Sequence, residues 1–568
     1  MKSMDLLQLG FFIILFLLLA WPLGRYMAKV YRGQRTWLDP VLNPLERLFY
    51  KISGVDPDHE MGWWEYTVAV MALNILGIVL LFLMQLAQGH LPFNPQHFPG
   101  VKWDLALNTA VSFVTNTNWQ NYGGESAMSY LTQMAGLTVQ NFLSAATAMA
   151  VLIALIRGLV RRQANSIGNF WVDLTRTVLW ILLPLSIIFA LLFASQGVIQ
   201  TLHPYVTAQT LEGAQQTIAV GPVASQEAIK MLGSNGGGFF NANSAHPFEN
   251  STPLTNLLTM LLIMLIPAGL VFTYGHMVDD RRQGHAVLGA MLIMFVIFLG
   301  ISYWSEATGN PLISALHVSS PTAMEGKEVR FGIANSALFA TATTAVANGA
   351  VNAMHDSLTP LSGFIAMLQI KLGEVVFGGV GCGLYGMLVF VLLTVFIIGL
   401  MVGRTPEYLG KKIESMEIKM GILAILLPSA CILIGAATAS VTKAGTSSIL
   451  NPGPHGLSEI LYAFASAAGN NGSAFAGLNG NTLFYNLGLA FNMFVGRFGV
   501  LIPVLVIAGT MVRKKSIPAG PGTFQTIGPF FAVVLASVVL IVGALTFFPA
   551  LALGPLVEHL LMWSGKVF

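Results

Sequence analysis

Gly233-Ser234-Asn235-Gly236-Gly237-Gly238 is a short polar, glycine-rich stretch between two apolar stretches that are each long enough to cross a membrane. Three more polar tripeptides occupy the same kind of position, and they are Asn116-Thr117-Asn118, Ala347-Asn348-Gly349 and Asn470-Asn471-Gly472. The middle residues of the four tripeptides are 118, 113 and 123 positions apart. Even spacing at a fixed period indicates an internal repeat. The sequence therefore predicts one unit present four times, with four polar loops around one pseudo-four-fold axis.

Polar loops at membrane depth restrict where the backbone can lie. Irregular backbone is tolerated there only where it is buried in protein or lines a water-filled cavity. Rings of backbone carbonyls replace the hydration shell of a monovalent cation such as K+, and glycine or asparagine permits the positive φ angles that such loops need. We predict that the four tripeptides form a K+ filter, flanked by Gln120 and Gly237. Asn118 stands where the other three loops have glycine, so strict four-fold coordination is not expected.

Composition makes this an all-α polytopic membrane protein. Of its 568 residues, 55% are apolar and 9% are charged, and the mean hydropathy is +0.70, whereas soluble domains carry about 25% charged residues. Runs of about 20 apolar residues suit membrane-spanning helices. Ten such runs are predicted, at residues 6–28, 66–86, 134–156, 171–194, 254–274, 287–304, 365–402, 419–440, 483–511 and 524–547. The first is interpreted as a retained helix and the seventh as a broken one.

Basic residues follow every odd-numbered run. They are Arg25, Lys29, Arg32 and Arg35, then Arg157, Arg161 and Arg162, then Arg281 and Arg282, then Arg404, Lys411 and Lys412, and finally Arg513, Lys514 and Lys515. Loops rich in lysine and arginine stay on the cytoplasmic side. This pattern predicts that the four polar loops face the exterior or periplasm and that both termini lie outside.

Each unit is predicted to contain a span, a re-entrant half-helix, a polar loop and a second span. The half-helices are expected at residues 105–115, 222–233, 335–346 and 457–469, with Ser225, Asn335 and Ser458 near the amino ends of the last three as caps. The predicted segments are an extra N-terminal helix at 1–30, repeats 1 to 4 at 60–165, 166–284, 285–412 and 413–515, and a C-terminal helix at 516–568. The stretches 196–220 and 310–330 are interpreted as outer caps.

The seventh run contains five glycines between Gly378 and Gly386. Its Gly381-Cys382-Gly383-Leu384-Tyr385-Gly386 matches the dinucleotide pattern G-x-G-x-x-G, but no strand-helix-strand unit surrounds it. A glycine-rich break in a long membrane helix indicates a hinge or gate below the filter. The alternative is a packing kink between helices.

Charged residues inside membrane segments are candidates for function because they are costly in lipid. Arg497 is predicted to face the conduction path as an electrostatic barrier, or else to pair with a buried carboxylate. Lys371 and Glu374 are spaced to form an ion pair, and Glu374 alternatively draws cations toward an inner exit. Cys382 and Cys431 are interpreted as inert core thiols, and His246 and His355 as hydrogen-bonding loop residues rather than metal ligands.

The chain resembles the KdpA-type, potassium-binding subunits of the bacterial Kdp potassium-transporting P-type ATPase. The resemblance covers essentially the whole chain and rests on residues 115–120 (TNTNWQ), 233–250 (GSNGGGFFNANSAHPFEN), 348–356 (NGAVNAMHD) and 468–476 (AGNNGSAFA). It implies membership of the superfamily of K+ transporters that are built from four membrane-pore-membrane repeats. Ser234 and Ala347 are small departures that leave every backbone carbonyl in place.

The resemblance also implies partners and roles. A P-type ATPase subunit and two small membrane subunits complete the complex in the bacterial inner membrane. In that family, this subunit captures external K+ and passes it through an intramembrane tunnel to the ATPase subunit, and a gate from the third repeat closes the direct route inward, so the same is expected of this chain. Gly378, Gly379, Gly381, Glu374, Arg404 and Arg497 fall where the family has tunnel and gate elements. We expect K+ as the transported ion, lipid contacts, no nucleic-acid partner, and ATP hydrolysis in another subunit.

Two other classes of function are considered. A self-sufficient K+ channel or ion-coupled symporter with a soluble nucleotide-binding regulator needs the same filter, so the residues alone do not separate it from a pump subunit. The long family motifs favour the pump subunit. A structural scaffold does not explain four aligned polar loops on one side of the membrane.

Overall fold

A computed structural model describes residues 3–317, 322–516 and 524–566. Parts of the predicted outer cap at 310–330 and of the predicted first and last segments lie outside the described residues. Ten helices within the described ranges are long and apolar enough to cross a membrane, and we number them spans 1 to 10: Ser3–Tyr31, Trp63–His90, Thr132–Val160, Phe170–Ser195, Pro253–Met277, Arg281–Ala315, Cys382–Met401, Ser415–Val441, Leu483–Met511 and Gly528–Trp563. The predicted polytopic helical architecture is confirmed.

Four shorter helices precede the polar loops. We name them pore helices 1 to 4, and they are Trp103–Val114, Val223–Leu232, Gly332–Ala345 and Gly453–Gly469. At 1.5 Å per residue they are about 15 to 26 Å long, too short for the ~30 Å hydrocarbon core. The predicted caps are wrong, because Ser225, Asn335 and Ser458 lie inside pore helices 2, 3 and 4 and not at their amino ends.

The remaining elements are short. Spans 3, 4 and 10 contain π-helical turns at Thr132–Thr138, Thr177–Leu182 and Ala552–Leu556. The short helical segments Gln88–His90, Pro311–Ala315 and Val557–Trp563 are the last parts of spans 2, 6 and 10. Other described helical segments are Asp39–Ser53, Gly124–Ala127, Asn243–Ala245, His355–Ser357, Pro360–Lys371 and Lys443–Thr446. Strands β1 (Val206–Gln209) and β2 (Gln215–Ile218) form an antiparallel hairpin, with Val206 opposite Ile218, and β3 (Glu407–Tyr408) pairs with β4 (Lys411–Lys412).

The seventh apolar run is broken, as predicted, but the break lies farther upstream. Helix Pro360–Lys371 ends before a non-helical segment at residues 372–381, and span 7 then begins at Cys382. Gly383 and Gly386 lie inside span 7, so they are not part of the break. Gly378 and Gly381, with φ +69° and +86°, take conformations that favour glycine.

Spans 3 and 5 form the centre of the helical bundle. In the most apolar stretch of each of these spans, 83% of the residues are buried inside the protein, against 22% in span 1. Span 1 packs along span 5, where a Cβ on Gly24 would overlap the carbonyl oxygen of Gly269. Small residues let membrane helices approach closely, and this packing holds the extra first helix against the core.

Helix Asp39–Ser53 is amphipathic. Its buried Glu46 accepts hydrogen bonds from Trp180 Nε1 at 2.6 Å and from Arg176 Nε at 3.1 Å, which anchors the helix to span 4. Its exposed apolar side chains are Val41, Leu45, Leu48, Phe49 and Ile52. An apolar face of this kind suits a helix that lies in the membrane interface.

Candidate functional site

All four pore helices end in the same turn. The first residue of each polar tripeptide is left-handed, with φ +67° at Asn116, +51° at Ser234, +52° at Ala347 and +59° at Asn470. The backbone N–H of the next residue donates to the carbonyl five positions earlier, over 2.9 Å at Thr117, 2.8 Å at Asn235, 3.1 Å at Asn348 and 2.9 Å at Asn471. This is the bonding of a Schellman cap. The partial negative charge of each helix carboxyl end therefore lies next to its own polar loop.

The four loops contact one another in a closed ring. We name residues 116–118, 234–236, 347–349 and 470–472 loops 1 to 4. Asn116 Nδ2 of loop 1 donates to Ser234 O of loop 2 at 3.0 Å, and Gly349 N of loop 3 donates to Asn235 O of loop 2 at 3.0 Å. Loops 3 and 4 lie so close that a Cβ built on Gly349 would be 3.0 Å from the Gly472 carbonyl carbon. Asn470 Nδ2 of loop 4 donates to Thr117 Oγ1 of loop 1 at 2.9 Å, which closes the ring. The tertiary structure thus brings all twelve predicted filter residues to one place, where all are buried.

Glycine is required in this ring at two positions. Gly236 and Gly472 have φ +91° and +90°, and Asn118 takes φ +59° in the equivalent place of loop 1. A Cβ on Gly236 would overlap Gly349 N, and a Cβ on Gly472 would overlap Thr117 O. Gly349 differs, because it is not among the residues with positive φ, and its N–H instead closes the ring on loop 2.

Carbonyl groups are not equally engaged around the ring. In loop 2, Ser234 O, Asn235 O and Gly236 O each accept a hydrogen bond, from Asn116 Nδ2, Gly349 N and Asn243 Nδ2 respectively. Among the residues that the structure describes, none donates to the carbonyls of loops 1 and 4. Buried carbonyls normally have partners. Loops 1 and 4 therefore present the free oxygen atoms that a cation needs.

Buried asparagine side chains brace the ring. Asn116 Oδ1 accepts from Asn235 Nδ2 at 2.6 Å and from the Ser144 hydroxyl of span 3 at 2.8 Å, and Asn470 Nδ2 donates to Met493 O of span 9 at 2.9 Å. These amides are engaged with protein, so they orient the loops. The Asn118 amide is different, since it is buried and neither of its polar atoms has a hydrogen-bond partner among the described residues.

The flanks of loops 1 and 2 are joined by Gln120. Its amide nitrogen donates to Gly238 O at 3.1 Å and its amide oxygen accepts from Gly238 N at 3.0 Å. Gly237 of the loop 2 flank lies against Asn118 of loop 1, since a Cβ built on Gly237 would be 2.7 Å from Asn118 Oδ1. The two residues predicted as filter flanks therefore hold the outer ends of two adjacent loops together.

A cavity of about 100 Å³ lies beside the ring. It is lined by Asn470 of loop 4 and by Lys371, Glu374 and Arg497. The hypothesised Lys371–Glu374 ion pair is not formed, because neither the ammonium nor the carboxylate has a hydrogen-bond partner among the described residues. Arg497 Nη2 donates to Ser144 O at 2.7 Å, and the described part of the chain shows no ion pair at this guanidinium. Three ionisable groups therefore meet at one cavity below the loops.

The break at residues 372–381 packs against loop 3. Gly378 N donates to Ala345 O at 2.9 Å, and a Cβ on Gly379 would lie 3.2 Å from Ala347 Cβ. Phe377 has φ +98°, which is strained for a residue with a Cβ. Its ring packs edge-on against Phe16 at 5.6 Å and Phe295 at 5.8 Å, and this packing stabilises the strained segment.

Arg404 is not brought to this cavity. It is exposed and follows the end of span 7, and it does not line the cavity that holds Glu374 and Arg497. The predicted gate and tunnel residues are therefore not all in one place. Glu374 and Arg497 line the cavity, Gly378 and Gly379 pack against the end of pore helix 3 and loop 3, Gly381 packs against Ala148 of span 3, and Arg404 is on the surface.

A charged cluster that no sequence pattern predicts lies near the predicted outer side. His455 Nε2 is 2.7 Å from Asp356 Oδ1, and its Nδ1 is 2.6 Å from Glu558 Oε1. Asp356, His455 and Glu459 could also hold a metal ion, since their ligand atoms lie within 4.8 Å of one another. These residues are about 100 positions apart except within pore helix 4, so no spacing signal was present. His246 and His355 are hydrogen-bonding loop residues, as predicted.

We expect His455 to give this cluster a pH dependence. Burial opposes its charge, but hydrogen bonds to Asp356 and Glu558 outweigh burial and raise its pKa from 6.5 to about 10. Its stabilisation is therefore complete below about pH 6.5 and is lost as the pH rises toward 10. At pH 6 the free energy of unfolding of His455→Gln should be about 1.5 to 3 kcal/mol lower than that of wild type, the value of hydrogen bonds to charged groups, and at pH 10 the two should differ little.

Thermal unfolding of the purified protein at several pH values measures this effect. The control is His203→Gln, at an exposed histidine in the predicted outer cap. A His455→Gln deficit that is the same at pH 6 and pH 10 would contradict the proposed charge pairing.

Comparisons with known proteins show what this chain is similar to. The family model described as "Potassium-transporting ATPase A subunit" matches residues 10–560. A Serratia proteamaculans protein named "Potassium-transporting ATPase potassium-binding subunit" is 57% identical over 566 residues, covering 100% of both chains. Proteins of the same name from Sorangium cellulosum and Escherichia coli are 56% and 57% identical, and 99% of this chain and 100% of each relative are covered. The crystal structure of the potassium transporter TrkH from Vibrio parahaemolyticus matches with a TM-score of 0.51 and 16% identity, over 87% of this chain and 97% of that one.

Proposed function

Because this chain belongs to the potassium-transporting ATPase A subunit family, we propose that it is the potassium-binding and selecting subunit of a high-affinity, ATP-driven K+ uptake complex. The observation that carries the proposal is the closed ring of loops 1 to 4. The support for it is that four pore helices end in left-handed caps of the same geometry and that the loops after them contact one another. Such a ring is suited to exchange the hydration shell of K+ for protein oxygens.

Selection of K+ in this proposal depends on backbone oxygens that are held at a fixed spacing. Among the described residues, the carbonyls of loops 1 and 4 and those of Ala347 and Gly349 in loop 3 accept no hydrogen bond. Hydrogen bonds from Asn116, Asn470 and Gln120 resist collapse of the ring. The carboxyl ends of the four pore helices add partial negative charge. The twelve loop residues act mainly through their backbone, so Ala347 functions without a polar side chain.

From the ring, K+ is proposed to enter the cavity lined by Glu374 and to continue through an intramembrane tunnel to the ATPase subunit. Glu374 supplies negative charge for the entering cation. Arg497 supplies a fixed positive charge that opposes leak of cations toward the inside. The break with Gly378, Gly379 and Gly381 acts as the gate below loop 3, and its contact with Ala345 couples the gate to that loop. Arg404, at the end of span 7, is proposed to act at the inner mouth of this route.

The proposed assembly contains a P-type ATPase subunit, in which ATP is hydrolysed, and two small membrane subunits. The four repeats are proposed at 60–165, 166–284, 285–412 and 413–515, with extra helices at 1–30 and 516–568. We place the protein in the bacterial inner membrane with the ring toward the periplasm and both termini outside. The exposed apolar face of helix Asp39–Ser53 supports contact with membrane lipid.

A stand-alone K+ channel or ion-coupled symporter remains the second candidate. The TrkH likeness favours it only at the level of the fold, since 16% identity shows a shared architecture and no more. Relatives at 56–57% identity over the whole chain are named as ATPase subunits, and for this reason we prefer the pump subunit.

K+-stimulated ATPase activity of the complex that copurifies with the tagged chain tests the proposed function. The chain should copurify with an ATPase subunit, and hydrolysis should require K+ and not be supported equally by Na+. Purified chain that carries no ATPase but conducts K+ down its gradient in vesicles would establish the channel or symporter instead.

Membrane orientation gives a separate prediction. In a variant that lacks Cys382 and Cys431, an impermeant thiol reagent should label Leu211→Cys in intact spheroplasts, because Leu211 is exposed in the hairpin between β1 and β2. Lys515→Cys, which is exposed beyond span 9, should be labelled only after the membrane is permeabilised. The opposite pattern would reverse the proposed topology.

A further inference from the structure

Pore helix 2 carries a buried ion cluster directly behind loop 2. Lys230 Nζ lies 2.8 Å from Glu227 Oε2 and 2.8 Å from Glu249 Oε2, and all three side chains are at most 1% exposed. Burying charges is costly even when they are paired. The two carboxylates also leave a formal excess of negative charge around one ammonium. Because burying this ion cluster next to the ring is costly in free energy, the cluster suggests a role beyond stability.

Repeat symmetry shows what is unusual about Lys230. It occupies the position five residues before the middle of its loop, where the other three repeats have Ser112, Thr343 and Ser466. Each of those hydroxyls contacts the backbone of its own loop or of the residues just after it. The contacts are Ser112 Oγ to Trp119 O at 2.8 Å, Thr343 Oγ1 to Ala350 O at 2.7 Å, and Gly472 N to Ser466 Oγ at 3.0 Å. Only the second repeat replaces the hydroxyl with a longer, charged side chain.

The ammonium group of Lys230 is linked to the Gly236 carbonyl of loop 2 through one side chain, Asn243. The ammonium donates to Asn243 Oδ1 at 3.2 Å, and Ser244 N donates to the same oxygen at 2.8 Å. An ammonium has no acceptor, so the amide oxygen of Asn243 must face it. The amide nitrogen is thereby directed to the Gly236 carbonyl of loop 2, to which it donates at 2.7 Å.

Glu249 holds the chain that leaves loop 2 against this cluster. Its Oε1 accepts from Phe240 N at 2.9 Å. A Cβ on Gly238 would lie 2.7 Å from Glu249 Oε1 and 2.9 Å from Asn243 Nδ2, so only glycine fits between the cluster and the loop without displacement. The ion cluster, Asn243 and the backbone of residues 236–240 therefore form one closely packed unit.

We propose that Lys230 and Asn243 are positioning residues that set the direction of the Gly236 carbonyl and, through it, the K+ affinity and cation selectivity of the ring. This inference rests on the proposed function, since it assigns how one loop of the K+ filter is held. Neither side chain is placed among the ion's ligands. Lys230 orients Asn243, and Asn243 orients the carbonyl.

Asn243→Asp is the decisive variant. It keeps the oxygen that accepts from Lys230 and Ser244 N, and it replaces the donor that faces the Gly236 carbonyl with a second acceptor. We expect the K+ concentration for half-maximal ATPase activity of the purified complex to rise at least about tenfold, equal to about 1.4 kcal/mol of binding free energy. The ratio of K+ to Rb+ half-saturation values should also change, whereas the maximal rate should stay within about twofold.

Asn250→Asp is the matched control. Asn250 is a buried asparagine of the same segment, and its amide nitrogen donates to Ser244 O and Asn256 Oδ1 rather than to loop 2. Its replacement should leave K+ half-saturation within about twofold of wild type. Lys230→Met should shift half-saturation in the same direction as Asn243→Asp, and Lys230→Arg should restore most of it. If Lys230→Met fails to fold, Asn243→Asp still decides.

Two readouts separate this inference from the proposed function. K+-dependent thermal stabilisation of the same preparations measures cation binding without any ATPase. Wild type that binds K+ but shows no K+-stimulated ATPase would count against the pump, while the binding comparison would still test Asn243. An Asn243→Asp protein with wild-type K+ affinity and K+/Rb+ ratio, or an Asn250→Asp control with the same shift, would overturn the inference. Wild type without K+ binding would overturn both.

Discussion

Gly236→Ala should weaken K+ binding by about 100-fold, or about 2.7 kcal/mol, while the protein still folds and inserts. Gly236 has φ +91°, and a Cβ there would overlap the backbone nitrogens of Gly349 and Ala350. Left-handed backbone costs a residue with a Cβ about 1 to 2 kcal/mol, and the overlap forces loop 3 to move. Since Gly349 N closes the ring on Asn235 O, this movement opens the ring at that contact. K+-dependent thermal stabilisation and K+ half-saturation of ATPase activity measure the effect.

The matched control for Gly236→Ala is Gly332→Ala. Gly332 begins pore helix 3 and also has positive φ, at +69°, but nothing lies within 4 Å of a Cβ built on it. It therefore carries the backbone strain without the collision at the ring. We expect Gly332→Ala to lower stability slightly and to leave K+ affinity within about twofold. Equal loss of K+ affinity in both variants would show that the ring is not the binding site.

Gly378→Ala should uncouple K+ binding from transport. A Cβ on Gly378 would overlap Gly383 Cα and the Glu374 carbonyl oxygen, and the residue has φ +69°. Its N–H also bonds to Ala345 O at the end of pore helix 3. The segment at residues 372–381 must shift to accept the methyl group. We expect K+-stimulated ATPase activity to fall at least about tenfold, with K+ affinity, from thermal stabilisation, changed by less than about threefold.

Gly373→Ala provides the control in the same segment. Gly373 has φ +83°, and nothing lies within 4 Å of its Cβ position. It tests whether any positive-φ substitution in the break is harmful. If Gly373→Ala reduces turnover as much as Gly378→Ala, the effect is general strain rather than a specific gate contact. Unchanged turnover in Gly378→Ala would remove the break from the mechanism.

Much of the architecture was predictable because it depends on local patterns. Apolar runs of membrane length identify the ten spans, since the bilayer thickness sets their length. The four polar tripeptides identify the ring, because irregular backbone at membrane depth must be enclosed. Boundaries were less predictable, as at Ser458, because the apolar pattern does not show where a buried helix begins. The break in the seventh run was expected, but Gly383 and Gly386 continue into span 7.

The spans, the fourfold repeat and the polar loops can be predicted from the residues alone, because each follows from hydrophobicity and backbone freedom along the chain. Which groups come into contact depends on the tertiary structure. In it, Lys371 and Glu374 form no ion pair, Arg404 lies away from the cavity, and His455 contacts Asp356 and Glu558. It also links Lys230 to Gly236 through Asn243. Such contacts depend on side-chain directions and on segments distant in sequence, and residue spacing contains neither.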